Sequence, residues 1–241
     1  YSPDGFHWQL SQESPVMTCG KFDSQNLAFW DTETRRYCSY VRNFHKGKQD
    51  NEVADNRDMG IRDIRVCYSD DFIKWSEPEM LTYTGSADEA LYTNQVTPYY
   101  RAPHIKLGFP ARYVERDWTK SIELLPGLEN RKLQSAVSPR YGTVVTDTRF
   151  MASRDGSSFY KWPQVFLRPG PQLDGNWTYG DNYQCWGLIE TPSDIEGAPP
   201  ELSFIASENY RPGTPTVFRR YSLRVDGFAS VWANTFGGVL V

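Results

Sequence analysis

The sequence predicts an all-β chain made of repeated antiparallel sheets. Three observations lead there: a hairpin signature that recurs, a series of short strand-like runs closed by turn formers, and no segment that sustains a helical stripe.

The hairpin signature comes first. Tyr1-Ser2-Pro3-Asp4-Gly5-Phe6-His7-Trp8 is echoed by Tyr68-Ser69-Asp70-Asp71-Phe72-Ile73-Lys74-Trp75 and again by Ser153-Arg154-Asp155-Gly156-Ser157-Ser158-Phe159-Tyr160-Lys161-Trp162. Each copy runs Ser, Asp, aromatic, Trp. Asp and Gly tolerate left-handed backbone, so each copy reads as a turn followed by an outer strand whose Trp packs under a neighbouring sheet, a structural role. The copies are spaced as one four-stranded sheet plus long loops, which is the spacing of β-propeller blades. Ala206-Ser207-Glu208-Asn209-Tyr210 is a degraded fourth copy.

Between the copies, runs rich in β-branched and aromatic residues predict strands at 26–30, 37–43, 64–68, 96–100, 105–113, 142–151, 183–189, 202–206 and 217–225. Residues 116–140 lack periodicity and predict a long loop, the kind of segment where function often sits on a regular scaffold. Blades are expected at about 16–80, 81–165 and 166–220, with 1–14 as the last strand of an earlier blade that is largely absent. The propeller is thus placed over residues 1–220. The tail at 221–241 is a closing strand or the start of a C-terminal β-sandwich.

Composition excludes several functions. Acidic and basic residues are interspersed with a net charge of −4, which leaves no positive field for nucleic acid. No apolar run approaches the ~20 residues of a membrane helix. Cys19, Cys38, Cys67 and Cys185 have no C-x-x-C spacing and read as small core residues. The sequence opens without Met or a leader, as a piece of something longer would.

In a propeller the innermost strands line a central channel, so polar residues at their starts face a common funnel. Three such starts follow the hairpins: Asp23-Ser24-Gln25-Asn26, Thr93-Asn94-Gln95 and Gly180-Asp181-Asn182-Tyr183. The bland alternative makes them turn and cap formers that satisfy backbone groups.

Hydrolysis of a glycosidic bond needs one carboxylic acid to protonate the leaving oxygen and a second carboxylate as base or nucleophile. Glu190 ends an apolar strand, where partial burial would raise its pKa toward that of a working acid. Asp23 is the favoured second carboxylate, with Asp181 and Asp147 as competitors. Asp147 and Arg149 alternate on one face, a pattern that first suggests a structural ion pair. Arg101 and His104, beside Tyr99 and Tyr100, suit sugar hydroxyls and ring faces. Asn26, Trp30, Asn94, Gln95, Asn182 and Trp186 complete the expected substrate contacts. A lone His is more often a hydrogen-bonding residue than a metal ligand, so no cofactor is expected, and a divalent cation such as calcium stands as the alternative.

The Ser-x-Asp-x-x-x-Trp hairpins, with a carboxylate in the first recognisable blade, Arg101-Ala102-Pro103 in the next and Glu190-Thr191-Pro192 after it, resemble the five-bladed β-propellers of glycoside hydrolase families 32 and 43. Phe22-Asp23-Ser24-Gln25-Asn26 through Trp30-Asp31, Leu91-Tyr92-Thr93-Asn94-Gln95 and Val225-Asp226-Gly227-Phe228 are similar to uncharacterised bacterial proteins attached to that superfamily. The likeness covers nearly the whole sequence. It implies action on furanosides and related sugars of poly- or oligosaccharides, with Asp23 matching the catalytic Asp and Glu190 the acid. Ala102 stands where those families have the supporting Asp, a place Asp181 or Asp147 would have to fill. The resemblance also implies export to the periplasm or beyond.

Two functions follow. A glycosidase requires Asp23 and Glu190 to face one pocket. A non-catalytic carbohydrate-binding propeller requires exposed aromatics such as Trp30, Trp118 or Trp186 and no second carboxylate within reach of Glu190.

Overall fold

The computed structural model describes residues 1–46, 60–210 and 215–230. The part of the tail reading that falls on 231–241 lies outside the described residues. In chain order the strands are β1 (Leu27–Asp31), β2 (Arg36–His45), β3 (Ile61–Ser69), β4 (Glu79–Met80), β5 (Thr82–Thr84), β6 (Thr97–Tyr99), β7 (Ala102–Gly108), β8 (Ala111–Val114), β9 (Val145–Thr148), β10 (Met151–Ser153), β11 (Ser158–Lys161), β12 (Ile189–Thr191), β13 (Glu201–Glu208) and β14 (Val217–Arg224). Three short helices, α1 (Lys120–Glu123), α2 (Leu128–Val137) and α3 (Arg140–Thr143), separate β8 from β9. The protein is therefore mostly β, in several sheets, none of which closes on itself among the described residues.

The protein divides into two compact units, Tyr1–Arg112 with Met151–Pro163, and Tyr113–Phe150 with Gln164–Val241. The first unit holds two sheets. One is a meander in the order β1-β2-β3-β4, and the other has the order β5-β11-β10-β7-β6. Its outermost pairing, β5 with β11, is parallel, with Phe159 opposite Tyr83. Apolar residues of these strands and of the segments between them meet in one cluster that includes Tyr40, Ile64, Val66, Leu81, Leu91, Val96, Met151 and Phe159. Burying each such side chain contributes about 1.5–3 kcal/mol, so this cluster dominates what holds the two sheets together.

The turns of the recurring hairpins form as their composition requires, whereas Trp8, expected to pack under a sheet, is exposed because no strand of the structure directly follows it. Oδ1 of Asp71 accepts the backbone N–H groups of Ile73 and Lys74 at 2.8 and 2.7 Å, and Trp75 Nε1 donates to the carbonyl of Phe72. Asp4 does the same for Phe6 and His7, with Trp8 Nε1 donating to Gly5. Asp155 accepts from Ser157 and Ser158. Two of these turns occupy equivalent places, after β3 in the first sheet and between β10 and β11 in the second. Residues 1–9 form no named strand, although Tyr1 and Gln9 exchange backbone hydrogen bonds as a hairpin would.

The second unit holds the sheet β12-β13-β14. Gln184 bridges to Ala206, so the segment before β12 also runs along β13. β14 pairs with β13 from Val217 to Arg224, and residues 221–224 thus belong to this sheet. The helices correct the expected loop at 116–140. In α2 the buried side chain is Arg131, while Leu133 and Val137 face solvent, so no apolar stripe announces the helix. Arg131 instead donates to the carbonyls of Pro126, Trp177 and Asn176.

The cysteines are all free. Cys38 and Cys67 are core residues, and burial pushes their thiols up to about 11 and about 12. Cys19 is exposed, contrary to the core reading, because it lies in the irregular segment before β1, which has no sheet to cover it.

Candidate functional site

In the first unit the polar residues just before β1 and just before β6 meet. Gln25, just before β1, hydrogen-bonds through its side chain to that of Gln95, just before β6. Beside them Asp23, half-exposed, is paired with Arg42, which is almost fully buried. The Arg42 guanidinium lies 4.7 Å from the centroid of the Tyr92 ring, a cation–π contact that fixes the cation under the carboxylate. Gln95 is held at φ +46°, a left-handed backbone uncommon for a residue with a side chain.

The asparagines at these starts are committed to backbone. Asn26 Oδ1 accepts from Arg42 N at 2.8 Å, and its Nδ2 donates to Ser24 O. Asn94 Nδ2 donates to Tyr40 O in the neighbouring sheet, and its Oδ1 accepts from Val96 N. That is the capping role weighed as the alternative for them.

Other expected contacts lie elsewhere in the unit. Trp30 stands at the far end of β1 from Asp23, 46% exposed and edge-on to Tyr37. Arg101 and His104 are exposed around the turn that joins β6 to β7, at the far end of β6 from Asn94 and Gln95. Neither group is brought to the strand starts.

In the second unit Asp181 is buried and accepts the N–H groups of Tyr210 at 3.0 Å and Thr178 at 3.3 Å. Burial pushes its carboxyl up to about 6, against the lowering effect of those bonds. Asn182, at φ +61°, donates from Nδ2 to Thr146 O in β9. Asp147 in β9 and Arg149 just after it are both buried. Tyr179 stands among Tyr113, Tyr141, Tyr183 and Tyr210, with ring centroids 5.6–6.5 Å away. Glu190 sits in β12 opposite Leu202 and is exposed, so the burial expected for it is not found: β12 is the end strand of its sheet, and Ile189 beside it is open to solvent as well. Trp186 is 45% exposed.

The excursion between β8 and β9 gives Trp118 neighbours that the sequence alone does not single out. Glu115, Arg116, Asp117 and Trp118 leave β8 and face Pro139, Arg140 and Thr143 across an open hollow of about 400 Å³. An exposed indole face with carboxylates and guanidinium groups beside it suits a sugar ring and its hydroxyls. The signal available in the sequence is the run Glu-Arg-Asp-Trp at the mouth of the loop. Among the described residues no group of three or more His, Cys, Asp or Glu is placed to hold a metal ion, and no helix is long and apolar enough to cross a membrane.

No family model matches this protein, and no curated protein matches it. Three solved structures are similar. A BT0996 complex with RGII shares 11% identity over 92% of this protein and 54% of its own length, with a TM-score of 0.50. A structure described as a glycoside hydrolase shares 11% over 94% of this protein and 55% of its own length, with a TM-score of 0.49. An N-acetylgalactosamine deacetylase from F. plautii, in complex with blood group B trisaccharide, shares 14% over 75% of this protein and 39% of its own length, with a TM-score of 0.43. The protein thus spans about half the length, or less, of the structures it matches. At such identities the likeness to the first is one of fold alone.

Proposed function

We propose that the protein belongs to a five-bladed propeller that acts on a poly- or oligosaccharide outside the cytoplasm, hydrolysing a glycosidic bond with Glu190 as acid and Asp23 as base or nucleophile. The observation that supports this reading best is the meeting of the Asp23–Gln25 and Asn94–Gln95 strand starts, because a shared polar funnel is what the propeller reading requires of the inner strands. Asp23 has the properties of a working carboxylate: it is open to solvent on one side and oriented by a buried Arg42 on the other. In the second unit Asp181, protonated to a larger extent than an ordinary carboxyl near neutrality, is the group suited to the role of the missing supporting Asp.

A screen of aryl furanosides, aryl pyranosides and plant polysaccharides against the wild-type protein, Asp23→Asn and Glu190→Gln tests it. Loss of a general acid or base lowers turnover by about a hundredfold or more. Turnover by Glu190→Gln equal to wild type removes Glu190 from the acid role.

Two observations favour the binding reading as the second choice. Ala102 replaces the supporting Asp, and Trp30, Trp118 and Trp186 are all exposed, as a sugar-stacking surface needs. A protein that turns over none of these substrates, yet retains polysaccharide on a gel unless Trp118 is changed to Ala, is a binder.

A further inference from the structure

The first unit contains a cavity of about 230 Å³ where the end of β2, the start of β3 and the segment from β4 to Leu91 come together. It lies among residues that none of the roles above uses. At ~30 Å³ per water molecule it has room for about seven waters, more than structural hydration of one or two groups requires.

His45, Asp63, Asp88 and Glu89 of its wall each have a polar partner. His45 stands between two carboxylates, with Nδ1 3.2 Å from Asp63 Oδ2 and Nε2 3.1 Å from Asp88 Oδ2. Asp63 also receives Nε of Arg65 at 3.1 Å. Glu89 faces Arg112 at 2.9 Å through one oxygen and Lys161 at 3.0 Å through the other. These ionisable side chains of the wall are thus each engaged, and the Arg62 guanidinium lies over the Phe44 and Tyr92 rings. Each carboxylate still has lone pairs able to accept from a hydroxyl.

Two neutral groups are in the opposite condition. The hydroxyl oxygens of Tyr83 and Ser86 are buried and have no hydrogen-bond partner among the described residues. A buried polar group left so costs about 1–3 kcal/mol, and in a native protein it calls for a ligand or ordered water. Burial, then the charges of Asp63 and Asp88, pushes the Tyr83 phenol well above its usual range, so the hydroxyl remains a donor. Met80, Leu81 and Leu91 form an apolar wall.

Paired carboxylates that accept, hydroxyls that await a partner and an apolar wall are together complementary to a molecule with hydroxyls around a C–H face. We propose that this cavity is a binding site for one small neutral polyol the size of a single sugar ring. Its lining shares no residue with the strand starts or with the Trp118 hollow, and the proposal does not depend on the role of either.

The test is calorimetric titration of the wild-type protein, Tyr83→Phe and Ser86→Ala with galactose, glucose, xylose and myo-inositol at millimolar concentration, and with sodium sulfate. Expected is binding of at least one of the neutral probes, weakened about three- to tenfold by Tyr83→Phe and by Ser86→Ala. The unliganded Tyr83→Phe protein should melt no lower than wild type, since it loses only an unpartnered oxygen. Should that variant fail to fold, Ser86→Ala decides. The proposal is overturned if no neutral probe binds, if both hydroxyl variants bind as wild type does, or if sulfate displaces the sugar. A lower melting temperature for unliganded Tyr83→Phe would also overturn it, by assigning the hydroxyl to permanent structural water.

Discussion

Lys106 Nζ lies 2.9 Å from Asp31 Oδ1, and both side chains are almost completely removed from solvent. Asp31 closes β1 of the first sheet and Lys106 belongs to β7 of the second, so the pair ties the two sheets of the first unit together. Breaking a buried ion pair from one side leaves an uncompensated charge. Lys106→Met should destabilise the protein by about 3–5 kcal/mol, and Asp31→Asn in addition should recover most of the loss. Urea denaturation of the single and double variants measures both effects. Equal stability of Lys106→Met and wild type would refute the assignment.

Asp155 shows the electrostatics of the recurring turn. Burial raises its pKa, but the N–H groups of Ser158 and Ser157 outweigh that and hold it down at about 2. A lowered carboxyl contributes stability above its ordinary pKa and loses it as pH falls through the folded value. Asp155→Ala should thus cost about 1 kcal/mol at neutral pH, and the deficit should shrink between about pH 4 and pH 2. A deficit that stays constant through this range would count against the turn as the cause.

Asp181 has the opposite sign. Its carboxyl, pushed up to about 6, makes the native second unit bind a proton more tightly than the unfolded protein does, so stability is fully present below about pH 4 and falls as pH rises to about 6. The slope amounts to about 2–3 kcal/mol in all. Asp181→Asn should flatten it, as denaturation at a series of pH values will reveal.

Gly180 meets the Tyr210 ring so closely that an added Cβ would overlap Cδ1, and its φ of +91° suits no side chain. Gly180→Ala should cost about 3 kcal/mol and weaken the near-ultraviolet circular dichroism of the tyrosine cluster. Retention of both would show that the segment yields more readily than its packing indicates.

The strands were legible because β-branched and aromatic runs between turn formers are a local signal, and the Ser-Asp turns were legible because one carboxylate oxygen organises its own next residues. α2 was not legible. Its buried face is the guanidinium of Arg131, and carbonyls from remote loops leave no mark in a hydrophobic pattern. Among the polar strand starts, the contact between Gln25 and Gln95 followed from placing each just before a strand. The separation of Arg101 and His104 from them did not, because composition names a strand without saying which end of it faces the polar starts. The exposure of Glu190 was hidden for a related reason: an apolar run reads as buried until the sheet's neighbours are known.

The parallel edge formed by β5 and β11 bears on the order of assembly. Residues 82–84 follow directly on the first sheet, yet their partners at 158–160 are made only after the helical excursion has been synthesised. The meander through Met80 can form as the polypeptide emerges, whereas its successor must wait with Thr82 to Thr84 exposed as an unsatisfied border. A ribosome that stalls within the excursion would present that border to any other β-strand nearby, and the vulnerability ends when Lys161 has been added.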